Sequence, residues 1–154
     1  MILGVSGSGK SAVANALTDS KSFDEGDHNE DGSYDPKKVC RHFLGKKENV
    51  EIEVWDTPGF LDSDEPDDMR ILESVMQFLA DLADGYNVIL FCHSAAYMGQ
   101  YKKVKDVYEL VVDLIGEEHT DKIRWVYTNL NKLHQRQREP ASLNRQFEKL
   151  KKTI

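Results

Sequence analysis

Short apolar runs alternate with helical spacings along this chain, which predicts an α/β sheet covered by helices on both faces. Met1–Leu3 reads as the end of a first strand, and Ser11–Leu17 as the helix that follows it. Val39–Leu44 and Val50–Trp55 both alternate and are separated by "GKKEN", the pattern of an antiparallel hairpin. Leu72, Val75, Met76, Leu79 and Leu82 recur at helical spacing, one face of a helix over about 67–84. Val88–Cys92 reads as a fully buried strand. Val104, Val107, Leu110, Val111 and Leu114 mark a second amphipathic helix that ends near Gly116. Ile123–Thr128 is another strand, and Pro140 opens a last helix at its first turn. The prediction is a three-layer α/β domain over residues 1–154, its sheet mostly parallel with one antiparallel hairpin. Both ends read as shortened, because only three strand residues precede Gly4 and no strand follows the last helix.

Composition narrows the classes without choosing among them. A chain of 154 residues with 40% hydrophobic and 31% charged residues fits one soluble domain. The net charge of −7 argues against a nucleic-acid partner, which a basic face would attract. Cys40 and Cys92 stand far apart without a signal peptide, so we expect reduced thiols and a cytoplasmic protein. No apolar run approaches the ~18–20 residues of a membrane-spanning helix. The five histidines show no metal-ligand spacing with the cysteines, and no zinc site is expected. His93, just past a strand's carboxyl end, is the one placed near where such sheets bind ligands.

The chemistry starts at residues 4–11, "GVSGSGKS", which fit the phosphate-loop pattern G-x-x-x-x-G-K-S/T between a strand and a helix. Glycines let the backbone turn its N–H groups toward phosphate oxygens, and the following helix aims its positive dipole at the anion. Gly4, Ser6, Gly7 and Ser8 are therefore candidate nucleotide-binding positions, with Gly9, Lys10, Ser11 and Ala12 completing the set. Lys10 supplies a point charge for the β- and γ-phosphates, which also makes it a candidate catalytic residue. The Ser11 hydroxyl is a Mg²⁺ ligand.

A second element, "VEIEVWDTPGF" at 50–60, is a strand that ends in D-T-P-G. Asp56 at the strand's carboxyl end can hold Mg²⁺, usually through water, and Gly59 can bring its N–H to a γ-phosphate, which makes it the second candidate catalytic residue. A nucleotide kinase would carry Arg-rich lid segments, and none is found.

These stretches, with "LVVDLIGEEHTDKIRWVYTNLNKL" at 110–133, resemble the immunity-associated GTPase family and its plant avirulence-induced members, relatives of the septin and chloroplast-import GTPases. The resemblance implies a Ras-like G domain that binds GTP or GDP with Mg²⁺ and hydrolyses slowly. It also implies homodimerisation, or assembly on membranes through parts outside the core. It places base recognition at Thr128-Asn129-Leu130-Asn131, with Asn129 and Asn131 as candidate contacts to guanine.

Three departures temper that expectation. The family has Asp where this chain has Asn131, so one pairing with guanine becomes donor against donor, at a cost of ~1–3 kcal/mol. An oxygen at purine position 2, as in xanthine, suits the Asn131 NH₂ better. A turn role for Asn131, and a shifted reading "NKLH" that ends at His134, both stay open. No Thr lies between Asp19 and Asp56 to serve the first switch; Lys37 falls at its place and Ser33 is the nearest hydroxyl. Phe60 follows Gly59 where a water-orienting Gln would stand. Acidic residues crowd 19–35 and 62–68, a pattern of solvated loops or of a basic partner's docking face. The expectation is thus a GTP-binding switch with slow or partner-dependent hydrolysis. The competing readings are a pseudo-GTPase interaction scaffold and a phosphate-loop ATPase or kinase.

Overall fold

The computed structural model describes residues 1–21, 23, 41–47, 50–57, 59–60, 73, 75–77, 85–97, 101–133, 141–142, 144–145 and 148. A five-stranded sheet organises them. Its strands are β1 (Ile2–Gly4), β2 (Arg41–Lys47), β3 (Val50–Asp56), β4 (Ile89–Ser94) and β5 (Ile123–Thr128), in the spatial order β2-β3-β1-β4-β5. β3, β1, β4 and β5 run parallel, and β2 pairs antiparallel with β3 at the edge. Two longer helices accompany them, α1 (Lys10–Thr18) and α2 (Tyr101–Ile115).

Alternation along the central strands sends side chains to two cores. Ile2, Val54 and Cys92 join Ala14 of α1 and Phe23 on one face. Leu3, Ile89 and Phe91 join Val104, Val107, Val111 and Ile115 of α2 on the other. A parallel strand buried on both faces has no polar side to show, which is why β1 and β4 read as continuous apolar runs. In α2 the buried positions fall at i, i+3, i+7 and i+11, while Leu110 and Leu114 pack at the margin. Gly116 ends this helix at φ 86°, a conformation glycine adopts without a side-chain penalty.

Several boundaries differ from the sequence expectation. β1 ends at Gly4 rather than Leu3, because Gly4 still pairs with Cys92. β2 runs through Gly45, Lys46 and Lys47, which the hairpin reading had placed in the turn. As an edge strand β2 needs a partner on one side only, so glycine and lysine are tolerated there. Val88 is not a buried strand residue: it is 38% exposed and precedes β4, which instead continues through His93 and Ser94 along its ladder with β5.

The expected helix at 67–84 is described only at Glu73 and Val75–Gln77, which are helical. Val75 is buried there, but Met76 is 50% exposed and so does not belong to the core face. Ala141, Ser142, Asn144, Arg145 and Glu148 are helical, in keeping with a last helix; Pro140 lies outside the described residues. No helix among the described residues is long and apolar enough to cross a membrane.

Candidate nucleotide-binding site

β1 has β3 on one side and β4 on the other, so the chain leaving Gly4 enters the crevice where strand order reverses. Open α/β sheets present ligands with their binding groups at this place. The segment 4–9 forms the loop here, with Gly7 exposed at its crest. Gly9, at φ 83°, is the N-cap of α1 and makes no side-chain cap bond. At this positive φ a side chain would be strained, and a Cβ at Gly9 would also press on the Thr128 side chain at 3.3 Å. The first N–H groups of α1 therefore point out of the helix without a side chain covering them, as an anion site requires.

Lys10 opens α1 and is only 5% exposed, with Nζ donating to the Val5 carbonyl at 3.2 Å. The ammonium thus sits folded over the loop's own backbone, where phosphate oxygens would compete for it. The Ser11 hydroxyl donates to Asp56 Oδ2 at 2.6 Å. Asp56 is 5% exposed at the end of β3, held in place by its pairing with Ile2, and Thr57 Oγ1 bonds the Ile2 carbonyl at 2.8 Å. A hydroxyl and a carboxylate oxygen brought together at the loop form the hard-oxygen donor set that Mg²⁺ takes, so these residues fit that ion. Ala12 is exposed on the first turn of α1.

Two candidate positions turn polar groups toward the protein. Ser8 is 1% exposed, and its Oγ has no hydrogen-bond partner among the described residues. Its side chain lies beneath the loop, and a Cβ at Gly4 would sit 3.0 Å from its Oγ. Ser6 offers its backbone N–H not outward but to the Phe60 carbonyl at 2.9 Å, while Phe60 N–H donates to the Gly4 carbonyl at 3.2 Å. Gly59 packs so closely on this pairing that a Cβ there would meet Ser6 Cα at 2.3 Å. The Phe60 side chain is 1% exposed and belongs to the α2-side core. Position 60 therefore faces the interior rather than the phosphates.

At the other end of the crevice, Thr128 Oγ1 donates to the Ser8 carbonyl, a contact across 120 residues of sequence. Thr128 was absent from the candidate contacts, although it opens the T-x-x-N segment that marks this place. Asn129 has φ 53° and donates from Nδ2 to Ser94 Oγ at 3.0 Å. Asn131 lies exposed in the short 3₁₀ turn Leu130–Lys132. The loop, Asp56 and the Thr128 segment thus all lie at the carboxyl ends of the parallel strands. Ser33, Lys37, the acidic residues at 62–68 and His134 lie outside the described residues.

The neighbouring titratable groups are packed rather than exposed. His93 is 4% exposed, edge-on to Tyr127 with 5.7 Å between ring centres, and burial lowers its pKa. Burial pushes the Cys92 thiol up to about 12, partly offset by the Lys10 charge, so this cysteine stays protonated. Tyr127 is likewise pushed up to about 12 by burial.

Solved structures share this fold over 99% of the chain. Toc33 from Arabidopsis thaliana, as a dimerization-deficient mutant, matches with a TM-score of 0.73 and 19% identity. A chain from a study of atToc33 and psToc159, chloroplast translocon components whose dimerization is described as important for GTPase activity, matches at 0.74 and 21%. Toc33 from Arabidopsis thaliana in complex with GDP and Mg²⁺ matches at 0.70 and 20%. The chain spans 59% of the length of each of these solved chains. No curated protein matches it. The shared fold agrees with the phosphate loop, the D-T-P-G strand and the T-x-x-N segment, and the AIG1 family model matches residues 1–153: the chain belongs to the AIG1 family.

Proposed function

We propose that this chain is a GTP-binding switch module that takes GTP or GDP together with Mg²⁺ and hydrolyses GTP slowly. The observation that carries this reading is the approach of Ser11 to Asp56 at the loop that Lys10 closes. Ser11 and Asp56 would hold the ion, directly or through water, and Lys10 would leave the Val5 carbonyl for the phosphates. Bound Mg²⁺ supplies neutralisation of charge on the β- and γ-oxygens. Everything else in the site positions: Gly9 lets the backbone reach the phosphates, and the Thr128–Ser8 contact sets the base segment against the loop. With Phe60 turned into the core, the described residues place no side chain from position 60 over an attacking water.

A second reading, a pseudo-GTPase scaffold with weak or altered base choice, is favoured by Asn131 at the family's Asp position and by that orientation of Phe60. Homodimerisation and a cytoplasmic location accompany the first reading as proposals. Calorimetric titration with GTP, GDP, XTP and ATP, with and without Mg²⁺, separates the two. Mg²⁺-dependent preference for GTP over ATP supports the switch, and indifference to the base supports the scaffold.

A further inference from the structure

The carboxyl ends of β4 and β5 carry a connected set of polar groups, of which Ser94 is marked by no sequence motif. Ser94, the last residue of β4, is 1% exposed and lies in register with Thr128. Its Oγ accepts from Asn129 Nδ2 at 3.0 Å and from the Ala96 backbone N–H at 3.3 Å. Asn129 Nδ2 also lies 3.4 Å from Thr128 Oγ1, which in turn donates to the Ser8 carbonyl of the phosphate loop. Asn129 holds a left-handed backbone at φ 53°, a conformation that asparagine tolerates better than most residues and that turns the chain at the end of β5. The shortest side-chain bond that anchors it runs to Ser94. Asn129 is also the N-cap of the Leu130–Lys132 turn, which carries Asn131.

We propose that Ser94 is a positioning residue for base recognition. It anchors Asn129, and through Asn129 the turn bearing Asn131, at the level of the phosphate loop. This inference rests on the GTP-binding reading above. Without the Ser94 hydroxyl, the Asn129 amide keeps only the longer contact to Thr128 among the described residues, and its side chain is less firmly held. The hydrogen bonds of Ser94 run to Asn129 and Ala96, whereas those of Lys10 and Ser11 run to Val5 and Asp56, so phosphate and Mg²⁺ binding are separable from base choice.

The test titrates the intact chain and the variants Ser94→Ala, Asn129→Ala and the double variant with GTP, ATP and inorganic tripolyphosphate, all with Mg²⁺. Ser94→Ala should lower the preference for GTP over ATP about fivefold or more and leave tripolyphosphate affinity within about twofold, the loss of one buried hydrogen bond. The double variant should be no worse than the poorer single one, because the two residues act in series. If Ser94→Ala fails to fold, Ser94→Cys carries the test, because it keeps the side chain's shape while replacing the hydroxyl with a weak acceptor for Asn129 Nδ2. A GTP preference unchanged in the variants, or effects that add, overturns the role of Ser94 alone. An unsubstituted chain that binds tripolyphosphate but prefers no base overturns the GTP reading, and this inference with it.

Discussion

The Ser11 hydroxyl reaches Asp56 Oδ2 at 2.6 Å although 45 positions separate the two residues in sequence. The contact exists because β1 and β3 lie side by side with Ile2 opposite Asp56, so the loop after one strand meets the end of the other. If this pair holds Mg²⁺, Ser11→Ala and Asp56→Asn should each weaken GTP binding in the presence of Mg²⁺ by about tenfold or more and nearly abolish its Mg²⁺ dependence. Titration with and without EDTA checks this. A full Mg²⁺ effect in both variants would remove the pair from the metal site.

Lys10→Ala should abolish triphosphate binding, since Lys10 is the cation at the start of α1 and already lies against the loop backbone at Val5. Isothermal titration with GTP reads this directly. Affinity retained within about threefold would show that the loop does not bind phosphates through Lys10, which a point charge at the β- and γ-oxygens should not permit.

Single-turnover hydrolysis by the isolated chain should not exceed roughly 10⁻⁴ s⁻¹, the scale of unassisted Ras-like enzymes. Phe60→Gln should not raise it, because position 60 points into the α2-side core. The substitution should instead cost about 3 kcal/mol or more of stability by burying an amide where a ring packed. Urea unfolding measures the second effect and phosphate release the first. A large gain in rate would mean that position 60 swings out to the phosphates. A rate that climbs with protein concentration would point to an active dimer.

If Asn131 faces the purine, Asn131→Asp should tighten guanine nucleotides by about 5- to 100-fold, the ~1–3 kcal/mol of one repaired pairing. It should weaken xanthine nucleotides and leave the GTP-to-GDP ratio unchanged, because the phosphate contacts are untouched. Competition binding with GTP, GDP and XTP decides it. No change for any nucleotide would make Asn131 a turn residue only.

Burial lowers the pKa of His93 in the folded state, so the unfolded chain binds a proton more readily there. That contribution to stability is present above the ordinary histidine value of about 6.5 and declines as pH falls through it toward the lowered folded value. The urea midpoint should therefore drop between about pH 7.5 and pH 5 by more in the unsubstituted chain than in His93→Gln. Equal drops would show that other groups carry the acid sensitivity.

The local signals in this chain were strong wherever chemistry and backbone geometry coincide. "GVSGSGKS" needs its glycines and lysine in that order to turn a strand into an anion-binding helix start, so Lys10, Ser11 and Gly9 were legible from spacing alone. The same holds for α2, whose apolar residues repeat at the helical period because one face is buried. Asp56 was legible as a strand-end acid, but its contact with Ser11 depends on β1 and β3 becoming neighbours. The sequence puts Phe60 where a water-orienting Gln would stand, but does not say where its side chain points. Only the Val5–Phe60 bridge, which extends the parallel pairing past β3, turns that side chain inward. Ser94 ends β4, and Thr128 with the Asn129 that follows it ends β5, strands that touch only in the folded sheet; serine and threonine have no periodicity to betray a partner. A sequence records the period of burial and the order of a loop; which hydroxyl meets which carbonyl is decided by strand order and register, which arise from long-range packing.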